Sequence, residues 1–203
     1  MTSRGLLVAL EGIDGSGKST LARRLAVSLR RRGYSVRLRR EPHDPRLGRR
    51  AQAAGAVDPW AGAVYFSVDR YAARPGLVAD LRRYAVVISD RSFLSTLAYQ
   101  GSRLPPSQRR RLLGWTDRVT VPPDLVLWIR LSPTTALDRI SGRSTVRDPL
   151  EGGRRLREVD RAYRRLARRY RFVRLVGDRP PRELVRDSVG AITARLRRPR
   201  GRS

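Results

Sequence analysis

Residues 6–20 of this chain read Leu6-Leu7-Val8-Ala9-Leu10-Glu11-Gly12-Ile13-Asp14-Gly15-Ser16-Gly17-Lys18-Ser19-Thr20, and this stretch decides the fold. An apolar run of strand length comes first, three glycines follow, and a pattern of helical spacing begins near Lys18. The spacing GxxxxGK[ST] between a strand and a helix is typical of a loop that binds phosphate through its backbone N–H groups. Glycines allow the tight turn, and the start of the helix adds partial positive charge. The stretch therefore predicts a nucleoside triphosphate site directly after the first strand.

Lys18 is the only lysine of the 203-residue sequence, in which lysine and arginine together number 45. A compact ammonium fits between the β- and γ-phosphates, where a planar guanidinium is too large and too rigid. Ser19 follows it, and a hydroxyl at this place binds the Mg²⁺ of the nucleotide. We therefore expect ATP and Mg²⁺ as cofactors and Lys18 as a catalytic residue. The predicted nucleotide-binding residues are Gly12, Ile13, Asp14, Gly15, Ser16, Gly17, Lys18, Ser19 and Thr20.

A second metal ligand is expected at the end of a neighbouring strand, because the magnesium of such loops also needs an acid. The run Val86-Val87-Ile88-Ser89 has the composition of a buried strand, and Asp90 follows it. Ligands of open α/β sheets bind at the carboxyl ends of the strands. We predict Asp90 as a metal ligand together with Ser19, and Arg91 as a catalytic cation beside the same phosphates. An N-cap role for Asp90 is compatible with this prediction.

Short apolar runs alternate with longer amphipathic segments along the chain. The predicted strands are 6–10, 35–38, 85–89, 125–131 and 172–175, and the predicted helices include 18–32, 92–100, 106–119, 134–141, 154–169 and 182–197. Near-continuous apolar strands separated by helices predict a parallel sheet that is covered on both faces. We therefore expect an α/β fold, a three-layer α-β-α sandwich with a five-stranded parallel sheet. One domain is expected over residues 1–198, with a mobile lid at about 142–153 and a basic tail at 199–203.

Composition restricts the partners and the site chemistry. A net charge of +27 favours polyanions, but the arginines are spread along the chain, which is more typical of a solvated exterior than of a dedicated nucleic-acid site. Weak non-specific affinity for nucleic acid stays open. The absence of cysteine excludes thiolate metal sites, and a single histidine, His43, excludes a His-rich centre. No apolar run approaches roughly 18 residues, so we expect no membrane partner and a cytoplasmic location.

Five segments resemble motifs of the thymidylate kinase family and occur in the family's order. Asp90–Gly101 reads DRSFLSTLAYQG and resembles its DRY…S-[ST]-x-A-Y-Q-G segment. Glu11–Thr20 resembles its phosphate loop, and Arg40-Glu41-Pro42 its R-E-P element. Tyr65–Arg70 resembles its L-F-x-x-D-R helix, and Pro123–Leu127 its P-D-L strand. The resemblance spans about residues 6–170 and implies a P-loop kinase fold with a closing lid. It also implies transfer of the γ-phosphoryl of ATP to dTMP, a step of dTTP biosynthesis, and a homodimer.

The resemblance also implies an acceptor site for dTMP with a role for each of seven side chains. Phe66 stacks on thymine, Arg70 binds a thymine carbonyl, Thr96 lies at the base edge, Tyr99 contacts the deoxyribose, Asp14 binds the 3′-hydroxyl, and Arg40 and Arg91 hold the acceptor phosphate. Residue chemistry agrees, since an aromatic face suits a planar base, a donor-only guanidinium suits a carbonyl, and arginine forks match phosphate.

A further catalytic arginine is expected in the lid. Some thymidylate kinases carry it in the phosphate loop, where this chain has Gly15 and Ser16. The lid offers Arg143 and Arg147, and alignment on the V-R-x-A-Y-like segment 159–163 favours Arg147.

Two departures from the family pattern leave alternatives open. The third residue of the D-R-Y motif is Ser92, and the lid reads Val146-Arg147-Asp148-Pro149-Leu150-Glu151 instead of D-R-[FI]-E. One alternative is a kinase for another pyrimidine nucleotide, and another is a catalytically weak binding module. A third is an arginine-rich, nucleic-acid-binding P-loop ATPase, which would have no use for a base pocket.

Overall fold

A parallel sheet of five strands forms the centre of the protein, in a computed structural model that describes residues 4–142 and 152–197. The strands are β1 (Leu6–Glu11), β2 (Val36–Arg40), β3 (Val86–Asp90), β4 (Leu125–Arg130) and β5 (Val173–Val176). Their order is β2-β3-β1-β4-β5, and all four pairings are parallel. The predicted sheet is confirmed, and each predicted strand lies within two residues of the observed one.

Eight α-helices belong to the described residues. They are α1 (Lys18–Arg30), α2 (Pro45–Val57), α3 (Pro59–Arg83), α4 (Phe93–Tyr99), α5 (Pro106–Val119), α6 (Pro133–Ser141), α7 (Gly153–Tyr170) and α8 (Pro181–Arg197). Side chains of β1 alternate between the two faces of the sheet. Leu6, Val8 and Leu10 pack with α1 and α8, whereas Ala9 packs with α4 and α5. Helices therefore cover both faces, which confirms the three-layer architecture.

Helix α2 was not predicted, and α3 was indicated only by the resemblance of Tyr65–Arg70 to a helix of the family. Both helices begin with the same signal. Asp44 and Asp58 cap them by accepting backbone N–H bonds, from Arg46 at 2.7 Å and from Trp60 at 2.9 Å, and a proline follows each aspartate. Proline suits the first helical position because its missing N–H has no partner there in any case. The segment His43-Asp44-Pro45 therefore leads directly into α2.

The same two helices approach each other closely through glycine. A Cβ atom added to Gly62 in α3 would lie 2.6 Å from the Cα of Gly55 in α2, a separation that real side chains do not show. The close approach brings α2 and α3 together as one wall beside the carboxyl ends of β2 and β3, where the candidate site lies.

The predicted lid lies largely outside the described residues. Gly142 ends α6 and α7 begins at Gly153, so only the two borders of the lid are described. Arg143 and Arg147 lie outside the described residues, as does the predicted basic tail. Within the described residues, no helix is both long and apolar enough to cross a membrane.

Candidate active site

The phosphate loop (residues 12–17) connects β1 to α1 and leaves no space for side chains at two of its glycines. A Cβ at Gly12 would lie 2.6 Å from the carbonyl oxygen of Ile129, and one at Gly15 would lie 2.5 Å from that of Ala136. Both glycines also have positive φ angles, 146° and 78°. The loop thus needs glycine for its backbone conformation and for its close approach to β4 and α6.

Lys18 lies inside the loop that precedes it. Its Nζ donates to the carbonyl oxygens of Gly12 at 2.9 Å and Ile13 at 2.8 Å, and it lies 3.7 Å from Oδ1 of Asp14. Burial, helped by the nearby Arg91 cation, lowers the pKa of Lys18 to about 8. Negative charge placed in the loop would favour the protonated amine. The geometry therefore suits an ammonium that meets phosphate oxygens within the loop.

The two predicted metal ligands lie together. Ser19 begins the first turn of α1 and donates its hydroxyl to Oδ2 of Asp90 at 2.5 Å. The β1–β3 register that pairs Leu10 with Asp90 brings these elements side by side. Hydroxyl and carboxylate oxygens suit Mg²⁺, which keeps several waters and is commonly held by one or two protein groups plus phosphates. Within the described residues, no group of three or more His, Cys, Asp or Glu side chains is placed to hold a metal ion.

Arg91 occupies a strained position between the phosphate loop and the neighbouring cavity. Its φ angle is 78°, a region that non-glycine residues rarely adopt and that concentrates at functional sites. The guanidinium forms an ion pair with Asp14, lies 5.2 Å from the ring centroid of Tyr99, and donates to Oγ of Ser95 at 3.3 Å. Burial opposes ionisation of Asp14, but the cations of Arg91 and Lys18 outweigh it and lower the pKa of that carboxyl.

A cavity of about 230 Å³ adjoins the phosphate loop through Asp14 and Arg91. We call it the acceptor cavity. Its lining consists of Asp14, Arg40, Glu41, Pro42, Gln52, Phe66, Arg70, Arg91, Ser92, Ser95, Thr96, Tyr99 and Gln100. All seven side chains that were predicted to bind the acceptor are among them. They come from the phosphate loop, β2, α3, the β3–α4 connection and α4, so the fold brings together residues that are far apart in the sequence.

Two adjacent residues of α3 connect this helix to the segment that follows β2. Arg70 donates from Nε and Nη2 to Oε2 of Glu41, at 3.0 and 2.9 Å. Asp69 accepts backbone N–H bonds from His43 and Asp44, both at 2.7 Å. The Asp-Arg pair of α3 thus holds the end of β2, and with it the rim of the acceptor cavity.

Comparison with known proteins agrees with this geometry. A family model described as Thymidylate kinase matches residues 10–189.

The chain belongs to the thymidylate kinase family.

Its relatives include proteins from bacteria and archaea. The chain is 40% identical over 144 residues to a thymidylate kinase of Xanthomonas oryzae pv. oryzae. The aligned region covers 68% of this chain and 62% of that protein. It is 32% identical over 203 aligned residues to a probable thymidylate kinase of Thermococcus onnurineus, covering 92% and 96% of the two chains. A probable thymidylate kinase of Archaeoglobus fulgidus is 31% identical over 160 residues, covering 78% and 80%. The chain thus spans less than two thirds of the Xanthomonas relative and nearly all of the Thermococcus one.

Ser92 stands where the thymidylate kinase motif usually has an aromatic residue or histidine, and the structure gives it two partners. Its hydroxyl donates to Oε1 of Glu11 at 2.6 Å and accepts from the backbone N–H of Leu94 at 3.2 Å, so it caps α4. A short hydroxyl can fill both roles, because serine is among the preferred N-cap residues.

Glu11 is a buried acid of the site that the sequence argument did not identify. Its carboxylate has no solvent exposure and also accepts hydroxyl hydrogen bonds from Ser95 and Tyr163, both at 2.7 Å. Burial raises the pKa of Glu11 despite these bonds. The side chain links β1, α4 and α7 directly behind the acceptor cavity. Its one signal in the sequence is an acid at the end of an apolar strand, immediately before the glycines.

Proposed function

We propose that the chain transfers the γ-phosphoryl group of Mg²⁺-bound ATP to dTMP, which gives dTDP and ADP. The observation that carries the proposal is the acceptor cavity, which contains every side chain expected to bind dTMP and adjoins the phosphate loop through Asp14 and Arg91. A base pocket beside a triphosphate loop suits a nucleotide kinase and has no purpose in an ATPase that acts as a switch.

On the donor side, the loop backbone and Lys18 hold the β- and γ-phosphates of ATP. Ser19 and Asp90 are the residues that would hold Mg²⁺, which would supply positive charge to the phosphates when bound. The N-terminus of α1 adds its partial positive charge at the same place. Together these groups balance the negative charge that accompanies the transferring phosphoryl.

On the acceptor side, the nucleophile is already a phosphate oxygen anion, so no strong general base is needed. Phe66 and Tyr99 contact the base and the sugar, whereas Arg40 and Arg91 hold the acceptor phosphate. Orientation of two reactants in line can contribute about 7–11 kcal/mol to lowering a barrier. Arg91 contributes positive charge to both the ATP phosphates and the acceptor phosphate, because it lies between the loop and the cavity. A lid arginine, Arg147 or Arg143, is the sequence-based candidate for the remaining charge.

A nucleotide panel tests the activity. Release of ADP is coupled to a spectroscopic readout, with dTMP, dUMP, UMP, CMP and AMP offered as acceptors. We expect the highest kcat/KM with dTMP. Equal or better use of CMP would reassign the enzyme to another pyrimidine nucleotide. Hydrolysis of ATP that DNA or RNA stimulates, without a phosphorylated nucleotide product, would support a nucleic-acid-dependent ATPase and would give the net charge of +27 a binding role.

The homodimer is proposed to form along α3. Among the described residues, four of the five exposed large hydrophobic side chains lie in one segment: Val57, Tyr65, Val68 and Tyr71. The three on α3 are spaced by three residues and share a face, and contiguous exposed apolar surface marks interaction sites. A second copy can pair the same face with itself about a two-fold axis.

Light scattering on a size-exclusion column tests this interface. We expect a dimer for the wild type and a monomer for the double variant Val68→Glu, Tyr71→Glu. The matched control is Val27→Glu, which changes the fifth exposed apolar side chain on α1 and should leave the dimer intact. A wild-type monomer, or a dimer that survives the double variant, would contradict the proposed interface.

A further inference from the structure

Three of the five N–H donors of the Arg70 guanidinium are bonded to partners within the protein. Arginine has five N–H donors, one on Nε and two on each terminal nitrogen. Glu41 accepts from Nε and Nη2, and Oγ1 of Thr96 accepts from Nη2 at 3.1 Å. The two remaining N–H groups are both on Nη1, which is buried and has no hydrogen-bond partner among the described residues. Arg70 itself is 8% exposed and lines the acceptor cavity.

Thr96 completes this edge of the cavity. Its hydroxyl oxygen already accepts from Arg70, so its own proton is available for an acceptor elsewhere. Thr96 is buried at 2% exposure and lines the cavity beside Arg70. A carbonyl oxygen that reaches the Arg70–Thr96 pair would therefore find hydrogen-bond donors. Gln100 also lines the cavity, but its amide can donate or accept and does not discriminate by itself.

Glu41 is held in place independently of Arg70. Its backbone N–H donates to the carbonyl oxygen of Asp90 at 3.0 Å, which continues the β2–β3 pairing to the end of the sheet. The next residues along the chain are fixed by Asp69 of α3. Because the backbone that carries this carboxylate is hydrogen-bonded to the sheet, Glu41 can fix the rotation of a long side chain that arrives from a helix.

We propose that Glu41 is the positioning residue that makes the acceptor cavity select a pyrimidine carbonyl over an exocyclic amine. This inference rests on the proposed function. With Arg70 locked, a carbonyl oxygen at the base edge finds donors, whereas an amino group finds donors facing its own donors. A site whose buried polar groups lose their partners rejects an analogue by about 10⁴–10⁵-fold in the strongest cases. Without the hydrogen bonds to Glu41, the Arg70 guanidinium can rotate, and the loss of affinity that an amino group at the base edge causes becomes smaller.

The test compares Glu41→Gln with the wild type in kcat/KM for dTMP and dCMP. Glutamine keeps the size of the side chain but removes its charge, which weakens the bond to Arg70. We expect the dTMP-to-dCMP ratio to decrease by at least about tenfold, which corresponds to about 1.4 kcal/mol. The change should lie mainly in KM for dTMP, with kcat near the wild-type value, because Glu41 acts on the base and not on the phosphates.

Asp69→Asn is the matched control. It weakens the neighbouring clamp between α3 and residues 43–44 but leaves the Arg70–Glu41 pair in place. Because Asp69 also holds the rim of the acceptor cavity, we expect kcat/KM to decrease by the same factor for dTMP and dCMP, so that their ratio stays at the wild-type value. If Glu41→Gln also lowers kcat/KM for dTMP and for dCMP by the same factor, Glu41 has only a structural role and the inference fails.

Thr96→Val provides a second test of the selectivity that the Arg70–Thr96 pair gives to the cavity. Loss of the hydroxyl should also lower the ratio, and the double variant with Glu41→Gln should lower it by less than the product of the two single effects, because the residues share Arg70. Independent, multiplicative effects would overturn the inference.

Calorimetric binding of dTMP and dCMP gives the same ratio without turnover. A wild type that binds dTMP selectively but does not phosphorylate it would refute the proposed function alone, and one that binds both nucleotides equally would refute the inference.

Discussion

The phosphate loop and the acceptor cavity hold their cations in different ways. Lys18 donates to carbonyl oxygens of its own loop, at positions five and six residues away. Arg70 and Arg91 are instead paired with carboxylates, Glu41 and Asp14, that come from other parts of the chain. Lys18 also lies 3.7 Å from Asp14, and burial lowers its pKa to about 8, so negative charge on a bound phosphate would favour its protonated form. A guanidinium that is paired with an acid stays charged and gains a fixed direction, which suits recognition of a ligand in the cavity.

The largest expected effect distinguishes charge from shape at the loop. Lys18→Arg keeps a cation but places a larger planar group where the loop encloses its lysine. We expect kcat to decrease by about 10³-fold or more, the upper range for removal of one preorganised donor. Steady-state assays at saturating ATP and dTMP measure this. The control is Arg23→Lys, an exposed exchange of the same two residue types on α1. An active Lys18→Arg enzyme would show that charge alone is sufficient, and the contrast with the cavity would disappear.

A smaller effect is expected for a variant of the acceptor cavity. It should change KM for dTMP and leave KM for ATP unchanged. Phe66→Ala removes the aromatic face that lines the cavity. Base stacking on an aromatic side chain contributes about 1–3 kcal/mol, so KM for dTMP should increase by about tenfold or more while KM for ATP stays unchanged. Varying each substrate in turn measures both constants. A parallel increase in KM for ATP would mean that the two regions are not independent.

The smallest effect concerns Glu11, which lies behind both regions. Because burial raises the pKa of Glu11 above its unfolded value of about 4.5, this residue favours folding most at low pH. Its contribution should be lost as pH increases from the unfolded value through the folded one. Each unit of pKa shift corresponds to about 1.4 kcal/mol.

Urea titrations between pH 4 and pH 8 measure this term. Glu11→Gln does not titrate, so the variant should gain stability relative to the wild type as pH increases, while all other carboxylates cancel in the difference. A stability difference that is constant or that changes in the opposite direction would show that the hydroxyl bonds of Ser92, Ser95 and Tyr163 outweigh burial.

The contrast between the two regions also explains what could be predicted from the sequence. The phosphate loop is contiguous, so its motif, strand and helix were all visible locally. The resemblance supplied the cavity residues, and the fold places them together, although their individual roles remain predictions. The partners Glu41–Arg70 and Glu11–Tyr163 lie 29 and 152 residues apart, and no local pattern connects them.

Helix α3 was indicated only by the resemblance of Tyr65–Arg70 to a family helix, and apolar spacing did not predict it for a different reason. It carries Pro75 and two glycines within its 25 residues, and its apolar side chains lie on more than one side, since one face packs inward and another is exposed. No single stripe of helical spacing marks it. The Asp-Pro pair at its start was the stronger signal, because capping is local whereas packing is not.

The single lysine has a practical consequence. A sample grown on isotope-labelled lysine carries one labelled side chain, and that side chain lies 6% exposed inside the phosphate loop. Its nuclear magnetic resonance spectrum needs no assignment, since one signal reports on one site. Nucleotide arrival, metal exchange and product departure can each be followed at that resonance in an otherwise unlabelled enzyme.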